Sequence, residues 1–363
     1  MNFKSTLVMK YLSLVIISLL ISTSMTFAGN PDRGGQAGAT ELLINPWARS
    51  SGWNGANTSF ISGVEAMRFN PAGIMNVPTS EFIFSRAIWL SGTDIFINSF
   101  GFVTSVGAAE TGSLGISIMS FDFGDIDITT VNQPEGGIGT YSPSFTNIGV
   151  TYAHKFSDRI RAGATIRVIS ETIPDAKAMG VAFDAGLQYV TDLSGDEDKQ
   201  RTKFGISLRN VGTPMRFNGD GLARRGSFEG EDPTLTVSTP SAAFELPTMI
   251  NIGVSQDFYL EATEKHKITA AATFTSNSFS NDQYVLGLQY SWRNILMLRG
   301  GMIFEDGILN AESRVNVYTG PSTGFSVNLP FGTEKDKTFA VDYSYRFTEY
   351  FAGTHTFGAR LVF

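Results

Sequence analysis

From Glu81 to Phe363 the chain repeats one pattern: segments of about ten residues in which apolar and polar side chains alternate. A period of two places alternate residues on opposite faces of a strand. About ten residues is the length a tilted strand needs to cross a bilayer. Such segments lie at 81–90, 95–106, 112–123, 145–155, 160–170, 179–190 and 202–211, then at 249–258, 267–276, 283–292, 295–304, 323–329, 338–347 and 355–363. The pattern predicts an all-β fold of about fourteen antiparallel strands.

The two faces differ in the same way along the chain. Phe204, Ile206 and Leu208 alternate with Gly205, Ser207 and Arg209; Phe339, Val341, Tyr343, Tyr345 and Phe347 alternate with Ala340, Asp342, Ser344 and Arg346. A soluble antiparallel sheet shows the same alternation, so connection lengths are needed to discriminate. Long connections at 124–144, 212–248 and 305–322 fall on one side of the predicted sheet, and short ones fall on the other. A soluble sandwich has no reason to sort its loops by side, whereas an outer-membrane barrel does. Trp89, Tyr189, Tyr259, Trp292 and Tyr350 fall near strand ends, where aromatic girdles would sit.

The C-terminal stretch puts Phe357, Ala359, Leu361 and Phe363 on one face and ends on a bare phenylalanine. In a closed barrel the last strand pairs with the first, and its outer face meets lipid. Phe357, Leu361 and Phe363 are therefore expected to form the terminal signal by which a barrel is recognised for insertion.

Composition agrees with a wall that has one oily face. Charged residues are 17% of 363, Gly numbers 38 and Phe 29. There are no cysteines, which excludes disulfides, thiolate metal sites and a lipidated N-terminal cysteine. The formal charge of −7 lacks the basic footprint of nucleic-acid binding. Lys4 and Lys10 precede an apolar core from Tyr11 to Ile21 and small residues up to Ala28. Residues 1–28 read as a secretory signal peptide, predicting export to the outer membrane of a Gram-negative bacterium.

Residues 29–79 carry no sustained period of two and hold Trp47 and Trp53. A large barrel encloses a lumen that needs filling, so this segment is expected to be a plug inside a barrel formed by residues 80–363. Its wording, Leu42 to Ile74, resembles the N-terminal signature of the PorV/PorQ family of Bacteroidetes outer-membrane proteins, similar in build to FadL-class barrels of fourteen strands. The matching positions include Ala48 with Arg49, Gly52, Gly55 with Ala56, Glu65 with Ala66, and Asn70-Pro71-Ala72-Gly73. The wording Asn45-Pro46-Trp47-Ala48-Arg49 departs from the Pro-Asp-Ala-Arg pattern of the PorV branch.

Physically, Pro71 forces Asn70 out of the helical region and Gly73 is expected to permit a sharp turn. Arg49 is expected to pair with a carboxylate in the lumen. The resemblance implies a non-enzymatic accessory barrel that binds partner proteins, in type IX secretion and cargo handling or as a subunit of an assembly complex. The competing reading is a FadL-like channel for hydrophobic small molecules.

No catalytic constellation stands out. His154, His266 and His355 fall in three separate segments, and no Gly-x-Ser-x-Gly elbow is present. The triplet Asp122-Phe123-Gly124 lacks the other kinase motifs, and Asp122, Asp125 and Asp127 lack EF-hand spacing, so neither a cofactor nor a metal is expected. The connection 212–248 carries Arg216, Phe217, Arg224, Arg225 and Phe228, a mixture suited to docking a protein or to lipopolysaccharide phosphates. Outer-membrane lipid is expected around the wall.

Overall fold

The computed structural model describes residues 29–107, 111–193, 200–226, 235–260, 265–332 and 337–363. The expected signal peptide and Phe228 lie outside the described residues. Fourteen strands form a closed barrel: β1 (Ser80–Trp89), β2 (Ile95–Val106), β3 (Gly112–Asp122), β6 (Ser144–Lys155), β7 (Ile160–Ile173), β8 (Ala176–Thr191) and β9 (Thr202–Gly212), followed by β12 (Met249–Tyr259), β13 (His266–Asn277), β14 (Gln283–Trp292), β15 (Leu296–Phe304), β16 (Tyr318–Phe331), β17 (Lys337–Thr348) and β18 (Thr354–Val362). The remaining strands make two ribbons in the long connections, β4 (Ile126–Asp127) with β5 (Thr140–Tyr141), and β10 (Ala223–Gly226) with β11 (Leu235–Ser238).

Every wall strand pairs antiparallel with its chain neighbour, and β1 with β18, from Glu81 opposite Val362 to Ile88 opposite His355. The connections at 123–143, 213–248 and 305–317 share one end of the barrel, as the sorting of lengths predicts. Two irregularities interrupt the ladders. Between β8 and β9 the register shifts at Phe183/Ala185, where Asn210 adopts φ 58° and its N–H donates to Asp184 Oδ1 at 2.6 Å. Between β16 and β17 it shifts across Tyr318/Ser322, at Gly320 (φ 113°) and Pro321, residues suited to a bulge.

Alternation decides which way each side chain points. Phe84, Ile116, Ile206, Leu286 and Phe357 stand exposed on the outer face, while Ser85, Ser207, Asp342 and Thr356 are buried inside. The outer face therefore matches a hydrocarbon solvent, and closure leaves no strand edge unpaired.

The N-terminal segment packs against the inner face of the wall. It is made of short helical turns at Thr40–Leu43, Ala48–Gly52, Ala66–Phe69 and Pro71–Asn76. Its backbone is held from all round the wall: Ser85 of β1 donates to Pro46 O at 2.7 Å, Arg167 of β7 to Met67 O at 3.2 Å, Gln188 of β8 to Ile61 O at 3.0 Å, Thr273 of β13 to Ala56 O at 3.0 Å and Ser322 of β16 to Gly52 O at 3.0 Å. Trp47, Ile61, Val64, Met67 and Ile74 form the core between segment and wall.

Candidate functional site

The sequence motif of the segment is assembled as a seat. Asn70 caps the turn at Pro71–Asn76, its Oδ1 accepting from Ala72 N at 3.3 Å. Its amide donates to Thr58 O at 3.1 Å and to Leu187 O of β8 at 3.0 Å, tying motif to wall. Glycine in the wall makes that approach possible. A Cβ on Gly186 would fall 2.1 Å from Asn70 Oδ1, and one on Gly163 would fall 2.7 Å from the Pro71 carbonyl. Gly73 is needed for a different reason from the turn expected of it: a Cβ there would stand 2.2 Å from Ile61 O.

Arg49 meets a carboxylate, but one of the segment itself. Its Nε lies 3.5 Å from Glu65 Oε2, and its Nη2 donates to Ser62 O at 2.6 Å. Glu65 also accepts from the N–H groups of Ser50 at 2.9 Å and Arg49 at 3.3 Å. Burial pushes the Glu65 carboxyl up, and the Arg49 guanidinium acts against that. Asn45 braces the same turn by donating to Ser50 Oγ at 3.0 Å and accepting from Trp47 N at 3.0 Å; Ala48 packs toward Gly358 of β18. Beside this turn Arg360 reaches Asp342 at 3.3 Å and Glu81 at 3.9 Å, while Glu81 accepts from Val64 N at 2.8 Å.

Towards the long-loop end the segment and wall separate around a cavity of about 360 Å³. Leu43, Ile44, Asn54 and Phe69 of the segment supply one side; Trp89, Arg209, Asn251, Gln283, Tyr318 and Arg346 belong to the other. Glu305 also lines it, accepting from Gln283 Nε2 at 2.5 Å, with its pKa pushed up by burial. Glu41 of the turn at Thr40–Leu43 is buried against Glu171 of β7. Burial and then the Glu171 carboxyl raise the Glu41 pKa to about 8, and Arg68 opposes the shift.

The described parts of the connection, 213–226 and 235–248, are bound back onto the barrel. Met215 is buried and exchanges backbone hydrogen bonds with Phe244, whose ring lies 5.8 Å from that of Phe217. Arg33 pairs with Glu245 at 2.9 Å, joining the loop to the N-terminal segment. Phe217 is thus a packing residue, while Arg216 and the ribbon residues Arg224 and Arg225 remain at the surface.

Three further placements answer the sequence reading. Phe357 and Phe363 stand on the outer face as expected. Among the proposed girdle residues Trp292 is on that face, but Trp89 turns inward against Phe121, because it shares a strand face with buried Ser85 and Ala87. Asp122 and Asp125 are engaged locally, accepting from Gly124 N at 3.1 Å and Ser142 Oγ at 2.6 Å. The sequence reading did not single out Arg209, Glu305, Tyr318 or Arg346 as site residues. Strand phase was the available signal for Arg209 and Arg346, both on the polar face of an alternating segment.

No protein-family model matches the chain, and no curated protein matches it. Solved structures do. The Pseudomonas putida toluene transporter TodX aligns with a TM-score of 0.54 and 12% identity, over 88% of this chain and 97% of that one. The Ralstonia pickettii toluene transporter TbuX gives 0.51 and 13%, and the CymD monoaromatic hydrocarbon channel 0.51 and 12%, each over 88% of this chain and 97% of the other. The shared feature is the fold. This chain shares the closed barrel architecture of these transporters and this channel.

Proposed function

We propose that the protein is a non-enzymatic FadL-like channel of the outer membrane that admits a small hydrophobic molecule, with residues 29–79 as its plug. The observation that carries this reading is the cavity at the long-loop end, whose wall is shared between barrel and segment. Leu43, Ile44, Trp89, Val285 and Ile303 give it an apolar surface, and sites of this kind combine such surface with a few placed polar groups. The architecture shared with the two toluene transporters supports the same reading. A ligand would enter from the long loops and leave past the segment or sideways through the wall. The expected cleavage after Ala28 would place the mature chain in the outer membrane of a Gram-negative bacterium.

The test is uptake of radiolabelled toluene and of radiolabelled phenylacetate by proteoliposomes. Uptake of at least one above that of empty vesicles, lowered by Leu43→Trp, is the expected result. Uptake of both equal to that of empty vesicles overturns the channel.

One observation favours a second reading. Ile126, Ile128, Val131 and Ile138 stand exposed in and beside the β4–β5 ribbon, an apolar surface that protein docking would cover. On this reading the barrel is an accessory of the PorV/PorQ type, binding secretion or assembly components, with Arg224 and Arg225 placed to meet lipopolysaccharide phosphates. Pull-down from native outer membrane in mild detergent tests it: stoichiometric secretion components support it, and the barrel recovered alone counts against it.

A further inference from the structure

Arginines inside this barrel fall into two groups. Arg167 pairs with Asp184 at 2.8 Å, Arg360 with Asp342 and Glu81, and Arg299 donates to Gln289 Oε1 at 3.0 Å and Ser326 Oγ at 2.6 Å. The side chains of Arg209 and Arg346 make neither an ion pair nor a hydrogen bond among the described residues, the Nε of each being buried without a partner, and both line the cavity. Arg209 is 5% exposed. Its guanidinium carbon lies 4.9 Å from the centre of the Phe69 ring, and that of Arg346 lies 3.5 Å from the centre of the Tyr318 ring.

A guanidinium presents five donors in a fixed fork, and leaving such donors unmet away from water is costly. The rings of Phe69 and Tyr318 satisfy the flat faces through cation–π contact, but they offer no in-plane acceptor to the N–H groups. Glu305 does not fill that role: its carboxylate accepts from Gln283 and is also hydrogen-bonded by Asn316. A planar acid is the acceptor that matches a guanidinium edge, because its two oxygens meet two parallel N–H groups. Tyr318 stands against Arg346, and Ile44, Trp89 and Val315 add aromatic and aliphatic surface to the same cavity. Ser51, Asn54 and Gly55 of the segment also line it.

We propose that the cavity selects a compact aromatic carboxylic acid, its carboxylate held by Arg346 and its ring by Trp89, Ile44 and Val315. Arg209 faces the same space from a strand on the far side of the wall and adds a second positive charge that favours an anion over a neutral hydrocarbon. This inference rests on the channel reading and names its ligand class.

The experiment is calorimetric titration of the purified full-length barrel with phenylacetate, 2-phenylethanol, toluene and hexadecanoate, repeated on Arg346→Gln and Arg209→Gln. Heat-shifted gel migration checks that each variant is a folded barrel. Phenylacetate is expected to bind at least about tenfold more tightly than 2-phenylethanol, the penalty expected when a buried polar site loses its partner. Arg346→Gln should abolish that preference. Toluene and 2-phenylethanol binding as tightly as phenylacetate, with Arg346→Gln unchanged, overturns the acid site and leaves the channel intact. Tighter binding of hexadecanoate overturns the compact ligand. If no probe binds and proteoliposomes take up neither toluene nor phenylacetate, both readings fall.

Discussion

Phe363 and Ser80 exchange two backbone hydrogen bonds, Phe363 N to Ser80 O at 2.9 Å and Ser80 N to Phe363 O at 3.3 Å, just beyond the last register pair of β1 and β18. The terminal residue thus fastens the seam of the barrel, and its ring stands on the outer face. Phe363→Asp keeps the backbone donor but places a charge on the membrane side. The variant should accumulate in the outer-membrane fraction at a several-fold lower level and lose its heat-modifiable band. Normal insertion would show that the ring has no such role.

Gly186 is where the Asn70 side chain meets the wall. A valine there would collide with Asn70 Oδ1 and Pro71 Cδ, so the turn at Pro71–Asn76 must move. Gly186→Val is expected to raise cysteine labelling of an Asn76→Cys reporter several-fold. Gly300→Ala, whose nearest neighbour would be 3.5 Å away, should leave the labelling unchanged.

Glu65 receives two backbone N–H groups and the Arg49 guanidinium while fully buried. Glu65→Leu removes the acceptor and leaves those donors unmet, a loss of about 3 kcal/mol in holding the segment. Hydrogen exchange at Ser50 should accelerate strongly, while exchange in the β6–β7 ladder stays as it was. Equal acceleration in both places would mean that the whole barrel had loosened instead.

Glu41 makes the segment sensitive to pH. Its pKa in the folded chain is about 8 against an ordinary 4.5, so over that interval the folded state keeps a proton that the unfolded state has released. Stability is then greatest below about pH 4.5 and falls as pH rises through about 8. Protection of the amides at 40–44, taken relative to the intrinsic base-catalysed exchange rate at each pH, should be lower at pH 9 than at pH 6, with the difference removed by Glu41→Gln. Identical profiles for the variant and the parent would assign the pH response elsewhere.

The wall was legible because strand phase is local. Phe204, Ile206 and Leu208 against Gly205, Ser207 and Arg209 already separate outside from inside, and β2 and β14 occupy the residues expected of them. Trp89 shows where local reading stopped. An aromatic at a strand end suits a girdle, yet its phase with Ser85 and Ala87 turns it inward, and phase prevailed over composition. The cavity was not legible at all: Arg209 and Arg346 lie on strands far apart in sequence, and only closure brings both to one space.

By itself the sequence determined the strand count, the side on which the long connections lie and the chemistry of each face, because those depend on neighbours two residues away. Tertiary structure decided where the N-terminal segment sits, which of its carboxylates Arg49 meets and which interior arginines keep their donors free. These outcomes depend on contacts between residues distant in sequence, Arg49 with Glu65 inside the segment and the wall arginines with groups on neighbouring strands, which no local pattern records.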